Sequence, residues 1–389
     1  MYADDIIFLA PNPTIMQEMI NKLENYCEKW DLRVNLNKSK IMVFRKGGKL
    51  SRFCKWEYKG REIEVVKTYK YLGINMTNSG KFNGHIELQL AVAKSGLNSV
   101  YKGVFGLQSK NVNSYFRLFD AVSRSVLCYA AQVWGGLKFD DVEKLQRFFI
   151  KKLFRLPYNT PNYMLLLETG RDSLFLFTLK LHWVFLSHTL QLADNRFSKI
   201  MFTIGVVNEH KWLRVIKENA IAYGNWDKFI NFLDFSRVDP AMAELYNYMI
   251  IKDREGLMDK VILGQFHPHY KEIKLGWGRE EFLGLGLSLQ EMRFILLARL
   301  EMLPLNWKPW FAENDYKCTI CNLKKDENVV HFIFECPMYK EFRVKVFGME
   351  KIDMAILDIL KGKCGWKKLA VYVNLALQYR TLIINEFDN

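Results

Sequence analysis

Two groups of residues in this 389-residue chain have the types and spacing to do chemistry. Near the C-terminal end, Cys318-x2-Cys321-x9-His331-x4-Cys336 offers three sulfurs and an imidazole. Thiolates two residues apart chelate one zinc ion across a tight turn. A later His and Cys complete a tetrahedron with no open position, so the site reads as structural. Three reduced core thiols beside a satisfied histidine are the alternative, and Cys27, Cys54, Cys128 and Cys364 show how unclustered cysteines are scattered here. At the other end, Asp4 and Asp5 sit between apolar residues in Met1-Tyr2-Ala3-Asp4-Asp5-Ile6-Ile7-Phe8-Leu9-Ala10. Two short apolar runs flanking a polar pair predict a β-hairpin. Adjacent carboxylates at its bend can share two magnesium ions, the arrangement by which nucleotidyl transfer activates a primer 3′-hydroxyl and neutralises pyrophosphate. Tyr2 and Ala3 would lie beside the primer end. A solvent-exposed Asp-Asp turn is the plain alternative.

The elements that must position these residues follow from periodicity. Asn12 as cap and Pro13 at the first helical position start a helix, with Ile15, Met19, Leu23, Cys27 and Trp30 on an apolar face. Leu36 to Phe44 reads as a turn feeding a strand. Phe53–Tyr58 and Ile63–Val66, joined by Lys59-Gly60, predict a hairpin, and Tyr69–Ile74 a further short strand. After Gly80 the pattern becomes helical: Ile86, Leu90, Ala93, Leu97, Val100 and Val104 recur three and four apart, and so do Tyr115, Leu118, Phe119, Val122, Val126 and Ala130. Phe139–Leu156 is a helix with Leu145, Phe148, Phe149 and Leu153 set among cations, ended by Pro157 and Pro161. Residues 171–300 are mainly helical, with glycine-rich joints at Gly276–Gly286. The expected class is α+β, mostly α.

Charge points to a polyanionic partner. The net charge is +14 with pI near 9.3, a basic excess typical of nucleic-acid binding. Between Lys38 and Lys70, eleven Lys/Arg face three Glu, with Phe44, Phe53, Trp56 and Tyr58 interleaved. That mixture suits a groove that tracks a phosphate backbone and offers stacking surfaces. Arg147, Lys151, Lys152 and Arg155 form a second basic stretch. Lys317, Lys324 and Lys325 flank the cysteine cluster beside Tyr316, Phe332, Phe334 and Tyr339. For any single lysine a solvated face is the ordinary reading.

Several classes are excluded. Seven cysteines without a signal peptide argue against a secreted disulfide framework, so a nuclear or cytoplasmic setting is expected. The most apolar stretch, Ser173 to Leu190, carries Lys180 and His182 and reads as a buried helix, not a membrane span. No Gly-rich phosphate loop supports a small-molecule cofactor, and no Ser-His-Asp order supports a hydrolase. His267-Pro268-His269 reads as a surface loop.

Tyr2-Ala3-Asp4-Asp5, the stretch Asn35–Phe44 and Tyr71-Leu72-Gly73 resemble, in order and spacing, successive palm motifs of reverse transcriptases. Tyr129–Gly135, Leu166–Gly170 and the Cys-Cys-His-Cys spacing resemble segments of the non-LTR, LINE-type enzymes. Glu327, Tyr339 and Arg343 match that family's residues around the knuckle. The resemblance implies a partial palm over 1–80, a helical thumb over 81–170, a helical connector over 171–300, a zinc knuckle over 301–345 and a helical tail over 346–389. It implies magnesium on Asp4 and Asp5, Lys38 near the incoming nucleotide, and Tyr71, Leu72 and Gly73 holding the primer. It further implies Arg147, Lys151, Lys152 and Arg155 tracking a template–primer duplex, and a knuckle that positions RNA or nicked target DNA. The family's third catalytic aspartate, carried by an earlier palm strand, and its fingers have no counterpart in this sequence. The chain alone is therefore expected to be inactive as a polymerase, and a non-catalytic binding module or a decayed relic stays open.

Overall fold

Asn12 starts the first helix as its chemistry requires: its Oδ1 accepts the Ile15 N–H at 2.9 Å, and Pro13 occupies the first helical position. The computed structural model describes residues 4–45, 47–50, 54–106, 110–208, 210, 217–218, 221, 238–307, 316–352 and 355–387. They divide into two compact units, residues 1–89 and 90–389.

In the first unit, α1 (Pro13–Lys29) buries Ile20 and Cys27, with Met16 and Leu23 beside them. Leu23 and Cys27 lie on the expected stripe, but Met16 and Ile20 replace Ile15 and Met19 in its first half, and Ile15 and Trp30 are exposed. Ile41, Cys54, Trp56, Tyr58 and Ile63 pack against it. The indole of Trp56 donates to the Pro13 carbonyl at 2.9 Å. Strands β1 (Glu57–Tyr58) and β2 (Arg61–Glu62) pair antiparallel across Lys59-Gly60. Both turn residues have positive φ, +48° and +67°, as a two-residue hairpin with the twist of its strands demands. The strand expected over Tyr69–Ile74 is instead a second hairpin, β3 (Thr68–Tyr71) with β4 (Ile74–Thr77). Leu72 and Gly73 are its turn, at φ +44° and +82°, and these two left-handed residues reverse the chain where a continuous strand was expected. The apolar run after Asp5 forms no strand among the described residues, and Ile6, Ile7 and Leu9 are exposed. Asp5 alone makes an isolated bridge.

The second unit is helical. α2 (Asn83–Gly106), which begins in the first unit, is followed by α3 (Val112–Phe119), α4 (Ala131–Trp134), α5 (Asp140–Leu153), α6 (Asn162–Thr169), α7 (Leu174–Gln191) and α8 (Phe197–Val207). Then come α9 (Val238–Ile262), α10 (Tyr270–Ile273), α11 (Leu289–Arg299), α12 (Lys340–Phe347), α13 (Ile356–Leu360) and α14 (Trp366–Phe387). A π turn over Asp120–Arg124 interrupts the helix expected through Ala130. Its Asp120 receives Arg171 at 2.6 Å. Trp134 is a core residue, whereas its neighbour Val133 is 47% exposed. Gly135 must be glycine because a Cβ there would fall 2.2 Å from the Thr178 carbonyl oxygen.

α7 is the buried helix expected from its composition. Phe175, Leu179, Trp183 and Leu186 meet Leu245 and Met249 of α9. Its first turn has no side-chain cap of its own. Glu143 of α5 supplies one, accepting the Phe175 N–H at 2.8 Å. A second polar contact binds α6 to α11: Arg299 grips Glu168 at 2.8 and 2.9 Å and Glu280 at 2.9 Å, all well inside the protein. His267-Pro268-His269 is not a surface loop. His267 is buried, and the His269 ring reaches buried Glu301 at 3.2 Å, because α10 folds the segment against the end of α11. No helix among the described residues is long and apolar enough to cross a membrane.

Candidate metal centre and nucleic-acid residues

The cysteine cluster closes because two different turns face each other. Lys317 and Asp326 bridge antiparallel, with the Cys318 N–H on the Lys325 carbonyl at 2.9 Å and the Glu327 N–H on the Tyr316 carbonyl at 2.7 Å. This small hairpin carries Cys318 and Cys321 at its bend, which Lys324 turns at φ +53°. His331–Glu335 is a single π turn. Its closing bond runs from the Cys336 N–H to the His331 carbonyl at 2.9 Å, five residues back, so the two later side chains come to one side.

The four ligand atoms lie within 4.8 Å of one another, and all four residues are buried. His331 Nε2 is 3.4 Å from Cys321 Sγ, while Nδ1 meets Glu335 Oε2 at 3.3 Å. The edge of a zinc–sulfur tetrahedron is about 3.8 Å for metal–sulfur bonds of about 2.3 Å, so a modest contraction completes the geometry. A carboxylate behind the ligating histidine is the usual orienting partner. Backbone N–H groups of Ile320, Leu323 and Met338 point at the sulfurs of Cys318, Cys321 and Cys336 respectively. The neighbouring Cys336 thiol lowers the Cys318 pKa well below the ordinary thiol value. The hydrogen bond between them pushes the Cys336 thiol up. Three sulfurs and one nitrogen without an open position fit a structural zinc ion.

Burial removes two aromatic residues from the expected nucleic-acid contacts. Phe332 and Tyr339 are fully buried, stacked edge-on at 4.9 Å, and offer no face to a base. Lys317 is paired with Asp326 at 2.6 Å and Lys325 with Glu335 at 3.2 Å; Lys324 is exposed. Arg343 is buried and holds the carbonyls of Cys336 and Glu350, both at 2.9 Å. Tyr372 donates to the Phe332 carbonyl at 2.7 Å. Sequence reasoning missed Arg380 of α14, whose guanidinium holds Glu327. No local pattern marks a partner 53 positions away.

In the first unit Asp4 lies in a turn, and both it and Asp5 are exposed. Tyr2 and Ala3 lie outside the described residues, as does Phe53. Lys38 ends a turn organised by Asn35, whose Oδ1 accepts the Asn37 N–H at 3.1 Å. The Lys38 carbonyl accepts the Tyr69 hydroxyl at 2.9 Å, so the structure joins Lys38 to β3 and the Tyr71-Leu72-Gly73 hairpin. Trp56 and Tyr58 are core residues, not stacking surfaces, because they close over α1; Phe44 stays 56% exposed. Lys40 and Lys59 are paired with Glu64 and Glu28.

On α5, Lys152 is committed to Asn98 at 2.7 Å. Lys151 donates to the Tyr158 carbonyl at 2.6 Å. Arg155 lies just beyond the helix at φ +49°. The Nε of Arg147 is enclosed with no hydrogen-bond acceptor.

Residues 1–76 match the family model described as reverse transcriptase (RNA-dependent DNA polymerase). The chain is also 22% identical over 133 residues to a Caenorhabditis elegans protein named as transposon-derived and uncharacterized. That alignment covers 34% of this chain and 47% of the relative, so the chain matches about half of that protein's length. No solved structure matches. The N-terminal residues are thus related in sequence to reverse transcriptases.

Proposed function

We propose that this chain is a portion of the reverse transcriptase of a non-LTR, LINE-type retrotransposon, and that it binds an RNA template and a DNA primer or target. The observation that carries this reading is the reverse-transcriptase match over residues 1–76, which takes in Asp4, Asp5, Lys38 and Tyr71–Gly73 in one stretch. Asp4 and Asp5 are read as magnesium ligands of the palm, with Tyr2 and Ala3 beside the primer end and Tyr71, Leu72 and Gly73 as the turn that holds the primer. Magnesium, when bound, would activate the primer hydroxyl and neutralise the leaving pyrophosphate. The helical residues 81–170 serve as thumb and 171–300 as connector. Cys318, Cys321, His331 and Cys336 would hold zinc, which would cross-link the Tyr316–Glu327 hairpin to the following π turn and fix a knuckle in front of the 346–389 tail.

Among the described residues no third carboxylate joins Asp4 and Asp5 within ligand reach. Two adjacent carboxylates repel unless a full set of cations sits between them. Both carboxylates are exposed, and a second reading of the chain is a nucleic-acid-binding module without catalysis. Two measurements test these readings. Filter binding should show affinity for RNA and DNA that weakens steeply with salt, and affinity that is absent at low salt would sink both. Primer extension on an RNA template should stay at background; extension abolished by Asp4→Asn would reject the second reading and leave the first.

A further inference from the structure

We propose that Arg147, Lys151, Arg155 and Arg293, with the ring of Tyr158, form a seat for unpaired nucleotides of a single strand, the cations taking phosphates and the ring stacking on a base. The seat rests on the nucleic-acid reading above and adds to it a residue far away in sequence and a preference for single strands. Arg147 and Lys151 are one turn apart on α5, and Arg155 follows just past its end. Arg293 comes from α11 and donates its Nε–H to the Arg155 carbonyl at 3.1 Å, 138 positions away. Two pairs of cations, Arg147 with Lys151 and Arg155 with Arg293, therefore lie on the C-terminal half of α5 and just past its end.

Among the described residues, Arg147, Lys151, Arg155 and Arg293 have no carboxylate at ion-pair distance. Glu143, one turn before Arg147, accepts the Phe175 N–H and offsets the Arg147 charge only in part. The Arg147 Nε–H is enclosed without an acceptor, so any anion would have to meet this guanidinium elsewhere than at Nε. Crowding is visible in proton affinity: burial and Arg147 lower the Lys151 pKa, and burial and Arg155 lower that of Arg293.

Tyr158 supplies the other half. It is 95% exposed, in the turn between Pro157 and Pro161, with Lys151 Nζ 5.4 Å from its ring centre. A tyrosine held out of every core beside phosphate-binding cations matches a base attached to its phosphate. A duplex hides its base faces, so the ring selects single strands.

The test is fluorescence anisotropy of the full chain with labelled oligothymidylate, an RNA strand and a duplex of equal length. Tyr158→Ala should weaken single-strand binding by about 5- to 100-fold and leave duplex binding nearly unchanged. Tyr158→Phe should bind as wild type, since stacking needs no hydroxyl. Arg293→Gln and Arg155→Gln should each reduce the slope of log affinity against log salt by about 0.7. Arg293→Lys should recover it, and Lys271→Gln, an exposed charge elsewhere, should not change it. Thermal unfolding of each variant accompanies the titrations. If wild type binds and Tyr158→Ala and Arg293→Gln bind equally well, the seat is wrong while the nucleic-acid reading stands. If wild type binds none of the strands, both fall. Phosphatidylserine vesicles that lose binding on these substitutions, with oligonucleotide binding intact, would assign the cluster to lipid and overturn the proposal.

Discussion

Arg380, on the last helix, closes on Glu327 with Nε and Nη2 at 2.8 and 2.6 Å from its two carboxylate oxygens, deep beside the cysteine cluster. Glu327 Oε1 stands 3.9 Å from Cys318 Sγ and its Oε2 also accepts the Asn306 N–H at 2.8 Å. The C-terminal helix is thereby tied to the hairpin that carries the first two sulfurs.

Arg380→Met should leave a fully buried carboxylate without its counter-charge. Breaking a buried pair from one side costs about 3–5 kcal/mol, to be read from urea unfolding. Because Glu327 lies against Cys318, zinc affinity measured by chelator competition should fall about 10- to 100-fold. An unchanged zinc affinity would confine the pair to fold stability.

Metal analysis of the purified chain should find one zinc per molecule, and cobalt in its place should show the absorption of a tetrahedral site with sulfur ligands. Chelation should lower the melting temperature and raise amide exchange over residues 316–347, since the metal joins two turns that share few other bonds. Cys336→Ser should abolish stoichiometric binding. A chain that folds fully and carries no metal would remove the knuckle from the proposal.

Glu143→Ala should remove the cap that α5 provides for α7 and expose an unmet N–H at Phe175, a loss of about 1–2 kcal/mol in urea unfolding. Burial raises the Glu143 pKa, so the charge itself is not comfortable there. Glu143→Gln keeps an oxygen acceptor and should lose less than the alanine variant. Equal losses would mean that the side chain matters only by its volume.

His269 carries a pH signature. The Glu301 hydrogen bond raises its pKa above the ordinary histidine value, with burial opposing. A folded pKa above the unfolded one means that folding takes up a proton. The stabilisation is therefore complete below the unfolded value near 6.5 and fades as pH rises through the higher folded value. Burial lowers the pKa of neighbouring His267, which contributes in the opposite sense. The difference in unfolding free energy between wild type and His269→Gln isolates the pair, and it should shrink as pH rises above about 6.5. A difference independent of pH would show that the histidine stays neutral.

Much of this protein follows from short-range chemistry. Asn12-Pro13 starts α1, Lys59-Gly60 turns a hairpin, Pro157 follows the end of α5, and the ligand spacing of Cys318, Cys321, His331 and Cys336 comes together as a buried cluster. Each is decided within about five residues by backbone dihedrals, capping or chelate geometry. The motif at Tyr71-Leu72-Gly73 was legible as a motif but not as a turn, because a run of strand-forming residues does not announce where left-handed φ will reverse it.

Which side chains are available was not legible. Trp56, Tyr58, Phe332 and Tyr339 have the composition of a nucleic-acid surface and are core residues, while Val133 looks like core and is exposed. The same aromatic ring can stack on a base or fill a cavity, and the choice depends on what folds over it. By itself the sequence determined the local elements, the basic character and the metal-binding spacing, since these depend on neighbours along the chain. Only the tertiary structure decided that Glu327 meets Arg380, that Glu143 caps α7, and that Arg293 joins Arg155. Those partners lie tens of residues apart, and burial and hydrogen bonding between distant segments have no signature in local order.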